Sequence, residues 1–188
     1  MSRLILVKHS VPEIDPLRPA AEWPLSPEGR RRCAPLAARL ARFAPDVILA
    51  SHEPKAAETA QIVGAHLGLA VTLADGLHEH VRRSVGWLDR KAFEAAVADF
   101  FARPDELVFG DETARAAEAR FTASLERALA LNASGNLAVV AHGTVIALFV
   151  ARAAGITPFP LWRSLGLPAF VVLDWPGGGV EAIVPRLE

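Results

Sequence analysis

Short, unbroken apolar runs that stop at polar residues constrain this chain most. Leu4-Ile5-Leu6-Val7 stops at Lys8-His9, Val47-Ile48-Leu49-Ala50 at Ser51-His52, and Leu137 to Ala141 at His142. None of the three alternates apolar with polar, so each reads as a strand buried on both faces. The spacers between them carry helical patterns. Ser26-Pro27-Glu28 opens one, with Ser26 as N-cap, Pro27 in the first helical position and Glu28 near the positive end of the dipole. Leu36, Leu40 and Phe43 share a face there, and Pro45 ends the pattern. A second helix is predicted over 54–67, closed by Gly68, and a short strand over 71–73. Residues 76–91 are irregular and rich in His, Arg and Trp. Helices follow over 92–101 and 113–131, the latter opened by Asp111, and another runs from His142 to about 154. Segments 170–175 and 180–184, joined by Pro176-Gly177-Gly178-Gly179, read as a terminal hairpin. The expected fold is therefore α/β: a three-layer α/β/α sandwich whose central sheet is mainly parallel and covered by helices on both faces.

Composition narrows the partners. A chain of 188 residues, 52% apolar and 22% charged, has enough apolar surface for one globular domain, 1–188, in which 76–112 is expected to act as a cap or insertion over a pocket. Twenty Lys and Arg against 21 Asp and Glu leave a net charge of −1. No global basic field exists to hold nucleic acid or an anionic membrane, so any anion site must be local. The single Cys33 excludes an internal disulfide and every cysteine-rich zinc motif. The first apolar run is too short for a signal-peptide core, and the long apolar stretch from 137 to 151 is broken by His142-Gly143-Thr144. A cytoplasmic protein is expected.

Ligands of open α/β sheets bind beyond the carboxyl ends of the strands. Lys8-His9-Ser10, Ser51 to Lys55, and His142-Gly143-Thr144 all fall at such ends, and helix starts follow the second and third. Two imidazoles and two ammonium groups would meet beside helix N-termini that favour an anion. Each also has a plainer reading: a histidine after a strand is commonly a hydrogen-bonded loop residue, and a lysine there a solvated charge.

The order of these elements resembles the histidine phosphatase superfamily, the phosphoglycerate mutase-like fold. That family ends its first strand in Arg-His-Gly where this chain has Lys8-His9-Ser10. Its Leu-Ser/Thr-x-x-Gly-Arg element is matched by Leu25-Ser26-Pro27-Glu28-Gly29-Arg30, and its Ser-x-x-x-Arg-Ala-x-x-Thr-Ala by Ser51 to Ala60. Its late Val-x-Ser-His-Gly is matched by Val139-Val140-Ala141-His142-Gly143. Both phosphate-binding arginines of the family are lysines here, Lys8 and Lys55, which keeps the charge and loses the bidentate fork.

The resemblance implies that His9 attacks phosphorus through a neutral ring nitrogen, its other nitrogen donating to backbone. It assigns Lys8, Ser10, Lys55 and the Gly143 amide to the phosphoryl group, with a protonated His142 beside them. Glu79, in Leu77-His78-Glu79-His80, takes the general-acid role with a pKa raised towards neutrality. Glu13 is the fallback, because the family's Gly-x-Trp-Glu-Gly element is unmatched: Gly86-Trp87-Leu88-Asp89 comes later and lacks the second glycine. Read from its residues alone, Glu79 is a solvated loop carboxylate.

Among the other histidines, His52 lies beside the pocket by chain position, His66 compensates a helix dipole, and His78 and His80 flank Glu79. Arg30 is expected to pair with a carboxylate. The basic run Arg82, Arg83, Arg90 and Lys91, interrupted by Trp87, reads as a solvated face or as a selector of anionic or ring-bearing substrates. No metal and no cofactor are expected.

The activity implied is metal-independent hydrolysis of a small phosphorylated metabolite through phosphohistidine. Hydrolysis is favoured over a mutase because the central insertion is short. The alternative is a phospholigand-binding protein of the same fold in which the two lysines have cost catalysis. No Gly-x-x-x-x-Gly-Lys-Ser/Thr loop, Gly-x-Gly-x-x-Gly or Gly-x-Ser-x-Gly elbow is present. The terminal hairpin offers an edge on which a second copy could pair, making a homodimer the expected assembly if there is one.

Overall fold

The computed structural model describes residues 2–132 and 134–187. Six strands form one sheet in the order β3-β2-β4-β1-β5-β6, with β1 at Ser2–Lys8, β2 at Val47–Ala50, β3 at Val71–Leu73, β4 at Leu137–Ala141, β5 at Ala169–Trp175 and β6 at Val180–Val184. The pairs β3–β2, β2–β4 and β4–β1 are parallel, whereas β5 runs antiparallel to β1 and β6 returns on β5 as the expected hairpin. Six helices cover the sheet: α1 (Pro27–Leu40), α2 (Pro54–Leu67), α3 (Arg90–Ala102), α4 (Ala114–Leu131), α5 (Gly143–Ala154) and α6 (Pro158–Ser164).

The unbroken apolar runs follow from this layering. Ile5, Val7, Ile48, Ala50, Ala138 and Val140 face α1 and α2, where Cys33, Leu36, Leu40, Ala56, Ala60 and Val63 complete one core. Leu4, Leu6, Leu49, Val139 and Ala141 face the other way, onto Val97 and Phe100 of α3, Phe121 and Leu125 of α4, and most of α5. Alternate residues of one strand thus enter two different cores, so neither set can be polar.

The helix signals are used as read, with three exceptions. The Gly29 amide donates to Ser26 Oγ at 3.0 Å, and Gly68 closes α2 in the left-handed region at φ 69°. The first exception is α1, which stops at Leu40 and continues as a single tight turn, Ala41–Phe43, before Pro45. The second is the cap of α4. Thr113 takes it, its Oγ1 accepting from the Ala116 amide, while the Asp111 carboxylate accepts from the Ser84 amide at 3.0 Å. The third is α6, which sequence patterning did not foretell.

Gly29 also fixes the loop after β1. A Cβ there would lie 2.1 Å from the Val11 carbonyl oxygen, so only glycine lets that loop cross the start of α1. Among the described residues, no helix is long and apolar enough to cross a membrane.

Candidate active site

The parallel register brings the predicted residues to one rim. Lys8 pairs with Ala141 and Ala50 with Val140, so β1, β2 and β4 end level with one another. Backbone bonds continue past the strands: the His9 amide donates to the Ala141 carbonyl and the Ser51 amide to the Val140 carbonyl, both at 3.0 Å. His9 and His142 meet edge to face, their ring centres 5.2 Å apart, and both are buried.

His9 Nδ1 lies 2.7 Å from the Ser10 carbonyl oxygen. A carbonyl only accepts, so Nδ1 carries the proton and Nε2 presents its lone pair. Burial, with the neighbouring His142 and the charges of Lys55 and Lys8, holds the His9 pKa well below the usual imidazole value, against the opposing hydrogen bond to Ser10. Its ring is neutral in the ordinary working range. Ser10, by contrast, is spent on the scaffold. Its amide donates to Thr59 Oγ1 at 3.0 Å and its hydroxyl to the Gly29 carbonyl at 2.8 Å.

The two lysines reach the rim by different routes. Lys8 Nζ donates to the Leu165 carbonyl at 2.7 Å and passes over the start of α5, where a Cβ on Gly143 would sit 3.3 Å from it. Burial lowers its pKa to about 8, although Glu79 pulls the other way. Lys55 Nζ donates to the Ala20 carbonyl at 2.6 Å and is ion-paired with Glu53. Burial lowers the Lys55 pKa too, with Glu53 opposing.

Glu53 is a site residue that the sequence reading passed over. One carboxylate oxygen holds Lys55, while the other accepts the Glu79 amide at 2.8 Å and lies 3.6 Å from His142 Nε2. Its place between Ser51 and Lys55, an acid inside a cationic motif, was the available signal.

Glu79 enters from the segment between β3 and α3. Its carboxylate accepts from the Thr144 and Val145 amides at 3.1 and 3.3 Å, capping the N-terminus of α5. Here the expected protonation is reversed. Burial would raise the Glu79 pKa, but the hydrogen bond from His80 and the charge of Arg82 oppose it, and the carboxyl is held well below its usual range.

His142 is corrected likewise. Burial first, then Lys55 and Arg82, hold its pKa well below the imidazole value despite Glu79, so the protein keeps this ring neutral rather than protonated. His142 Nε2 lies 3.0 Å from Ser51 Oγ, and Nδ1 has no hydrogen-bond partner among the described residues.

Glu13 is exposed. His52 is exposed and lies 3.2 Å from Asp75. His66 is exposed in the last turn of α2. His80 is buried against Phe100 and Phe109. Arg30 pairs with a carboxylate, that of Glu58, as expected. Of the basic run, Arg83, Arg90 and Lys91 are exposed, while the guanidinium of Arg82 turns inward over Phe93. Trp87 stands near Trp23, ring centres 6.2 Å apart. Among the described residues, no group of three or more His, Cys, Asp or Glu is placed to hold a metal ion.

Solved structures share this architecture. A mycobacterial glucosyl-3-phosphoglycerate phosphatase aligns over 100% of this chain and 97% of its own, with TM-score 0.75 and 22% identity. The phosphoserine phosphatase of Entamoeba histolytica, solved with 3-phosphoglyceric acid, aligns over 99% and 98%, with TM-score 0.80 and 18% identity. The alpha-ribazole phosphatase of Shigella flexneri aligns over 98% and 96%, with TM-score 0.73 and 19% identity. A sequence search of curated proteins finds no match. Residues 4–184 match the histidine phosphatase superfamily (branch 1), and the chain belongs to that family.

Proposed function

We propose that the protein hydrolyses a small phosphomonoester without a metal, through a phosphohistidine on His9. The observation that carries this reading is the His9 imidazole. It is neutral, its proton is fixed on Nδ1 by the Ser10 carbonyl, and it stands beside His142 at the ends of three parallel strands. A nucleophile at phosphorus needs just such a free ring nitrogen.

In the first step His9 Nε2 bonds to phosphorus while the bond from phosphorus to the ester oxygen breaks. Charge on the phosphoryl oxygens is met by Lys8, Lys55 and the amide at the start of α5. The leaving alkoxide takes a proton from Glu79. Since the protein alone keeps Glu79 ionised, that proton arrives with the substrate: a phosphoryl dianion beside the carboxylate repels its charge, and the pair takes up one proton between them. The same repulsion, now an attraction to imidazolium, favours protonating His142 in the complex. In the second step water attacks phosphorus, Glu79 removes its proton and the bond between phosphorus and Nε2 breaks. Orthophosphate leaves and His9 is restored.

The test is hydrolysis of 4-nitrophenyl phosphate at pH 5–8 in EDTA, beside His9→Ala. Wild-type turnover that survives the chelator and disappears in a folded His9→Ala protein supports the reading. Undiminished turnover in the variant overturns it. Phosphate binding without any turnover would favour a phospholigand-binding protein instead, the reading that the engagement of Lys55 by Glu53 supports.

A further inference from the structure

The mechanism leaves the inward-turned Arg82 unused. The Arg82 guanidinium lies 4.9 Å from the centre of the Phe93 ring and 6.0 Å from that of Phe109. Its Nη1 is sealed from solvent and has no hydrogen-bond partner among the described residues. A guanidinium nitrogen shut away from water without a partner is costly, and an anion reaching it would complete it.

The charged neighbours of Arg82 are those of the candidate site. Burial lowers the Arg82 pKa, whereas Glu79 and Glu53 support its charge. That charge acts in turn on Lys55 and His142, two groups assigned above to the phosphoryl group. Arg82 is also presented rigidly. The Val81 amide donates to Glu112 Oε1 at 2.8 Å, the Asp111 amide to the Val81 carbonyl at 2.7 Å, and the Ser84 amide to Asp111 Oδ2 at 3.0 Å. Gly110, at φ 93°, allows that turn to close: a Cβ there would sit 2.8 Å from Arg82 Cβ. The two lysines offer no equivalent. Each is a point charge already engaged by protein oxygens, Lys8 by Leu165 and Lys55 by Glu53 and Ala20.

We propose that Arg82 grips the phosphoryl oxygens of the substrate, so that the guanidinium fork missing from the ends of β1 and β2 is supplied by the segment between β3 and α3. The inference rests on the phosphatase reading above. A planar fork over Phe93 can donate two parallel hydrogen bonds to a phosphoryl group, and the ring fixes its plane.

The experiment measures the affinity for inorganic phosphate by calorimetry, and its inhibition constant against 4-nitrophenyl phosphate hydrolysis. The proteins are wild type, Arg82→Lys, Arg82→Met, Arg83→Gln and the double variant Arg82→Met/Lys55→Arg, with thermal melting followed by circular dichroism. Arg82→Lys is expected to bind phosphate about tenfold more weakly and Arg82→Met more weakly still, from the worth of charge-assisted hydrogen bonds. Arg83→Gln, altering an exposed neighbour, is expected to match wild type. The double variant regains part of the lost affinity, which a merely structural role for Arg82 would not allow. Should Arg82→Met fail to fold, Arg82→Lys, which keeps the aliphatic stem and the charge, carries the test. Wild-type phosphate affinity in a folded Arg82 variant overturns the proposal and leaves the phosphatase reading standing. So does a loss confined to the KM for the ester, which would assign Arg82 to the leaving group. A wild type that neither binds phosphate nor hydrolyses the ester overturns both.

Discussion

The ends of β1, β2 and β4 and the segment 76–84 meet at the same site but are held in place differently. At the strand ends the backbone decides position. The register that pairs Lys8 with Ala141 also places His9, and the amides of His9 and Ser51 extend the ladder by one residue each. Segment 76–84 has no ladder. Arg120 Nη1 donates to the Gly76 and His78 carbonyls at 2.8 and 2.9 Å, and Nη2 to the Glu79 carbonyl at 3.2 Å and Glu112 at 2.6 Å. Glu53 holds the Glu79 amide, and Ser124 Oγ donates to the Asp75 carbonyl at 2.6 Å. A few side chains do there what a sheet does at the rim, so single substitutions should be far more damaging in this segment.

The largest effect is therefore expected from Arg120→Met, a residue assigned no direct contact with substrate. It leaves three carbonyls without that donor and takes the ion-pair partner from Glu112, costing about 2–4 kcal/mol of stability in urea unfolding. Loss of registration at Glu79 and Arg82 should lower kcat/KM for 4-nitrophenyl phosphate at least ~100-fold, the scale expected from ångström misplacement of a catalytic group. Lys8→Arg, a rim change, should leave stability within about 1 kcal/mol of wild type. If Arg120→Met were no more harmful than Lys8→Arg, the contrast between the two regions would be wrong.

Glu53→Gln sharpens the contrast, because Glu53 joins the two regions. The amide retains an acceptor for the Glu79 amide but abandons the ion pair with Lys55. Phosphate should bind several-fold more tightly, since Lys55 no longer answers to a competing carboxylate, while kcat changes little. Glu53→Ala removes both contacts, and kcat should fall about tenfold or more as Glu79 loses its tether. Comparing the inhibition constant of phosphate with kcat in the two variants separates the roles.

The same division explains what could be read from the chain beforehand. Strands β1, β2 and β4 were legible because burial on both faces demands unbroken apolar runs, and His9 and His142 followed as the residues just past them. Glu79 came from family resemblance, since a carboxylate in an irregular segment carries no local mark. Glu53 carried only the faint mark of an acid inside a cationic motif, and Arg82 only its membership of a basic run: which way each side chain turns depends on Lys55, Glu79 and Phe93, brought together by the fold. Helix α6 was missed because Pro158 and Pro160 suppress the usual pattern, although Pro158 opens the helix, where a missing amide proton costs nothing. The charges of Glu79 and His142 went against expectation because their causes belong to the folded site alone: the hydrogen bond from His80 and the nearby Arg82 hold Glu79 down against its burial, while burial beside Lys55 and Arg82 keeps His142 neutral.

The smallest effect expected concerns the rim lysine itself. Burial lowers the Lys8 pKa to about 8, whereas an arginine in its place would stay charged throughout the usual range. A lysine is cationic below its pKa and neutral above it, so the free enzyme loses this positive charge as pH rises through about 8. If the charged form is the one that accepts phosphate, affinity is constant below that point and declines above it. Between pH 8 and 9 the protonated fraction falls about fivefold, and the inhibition constant of inorganic phosphate should rise by a similar factor. Phosphate is already a dianion across that interval, so its own titration adds little. Lys8→Arg should flatten the profile between pH 8 and 9 while leaving affinity below pH 7.5 within a few-fold of wild type. An equal rise in both proteins would mean that the alkaline limb belongs to another group, and that the rim does not depend on which cation stands at the end of β1.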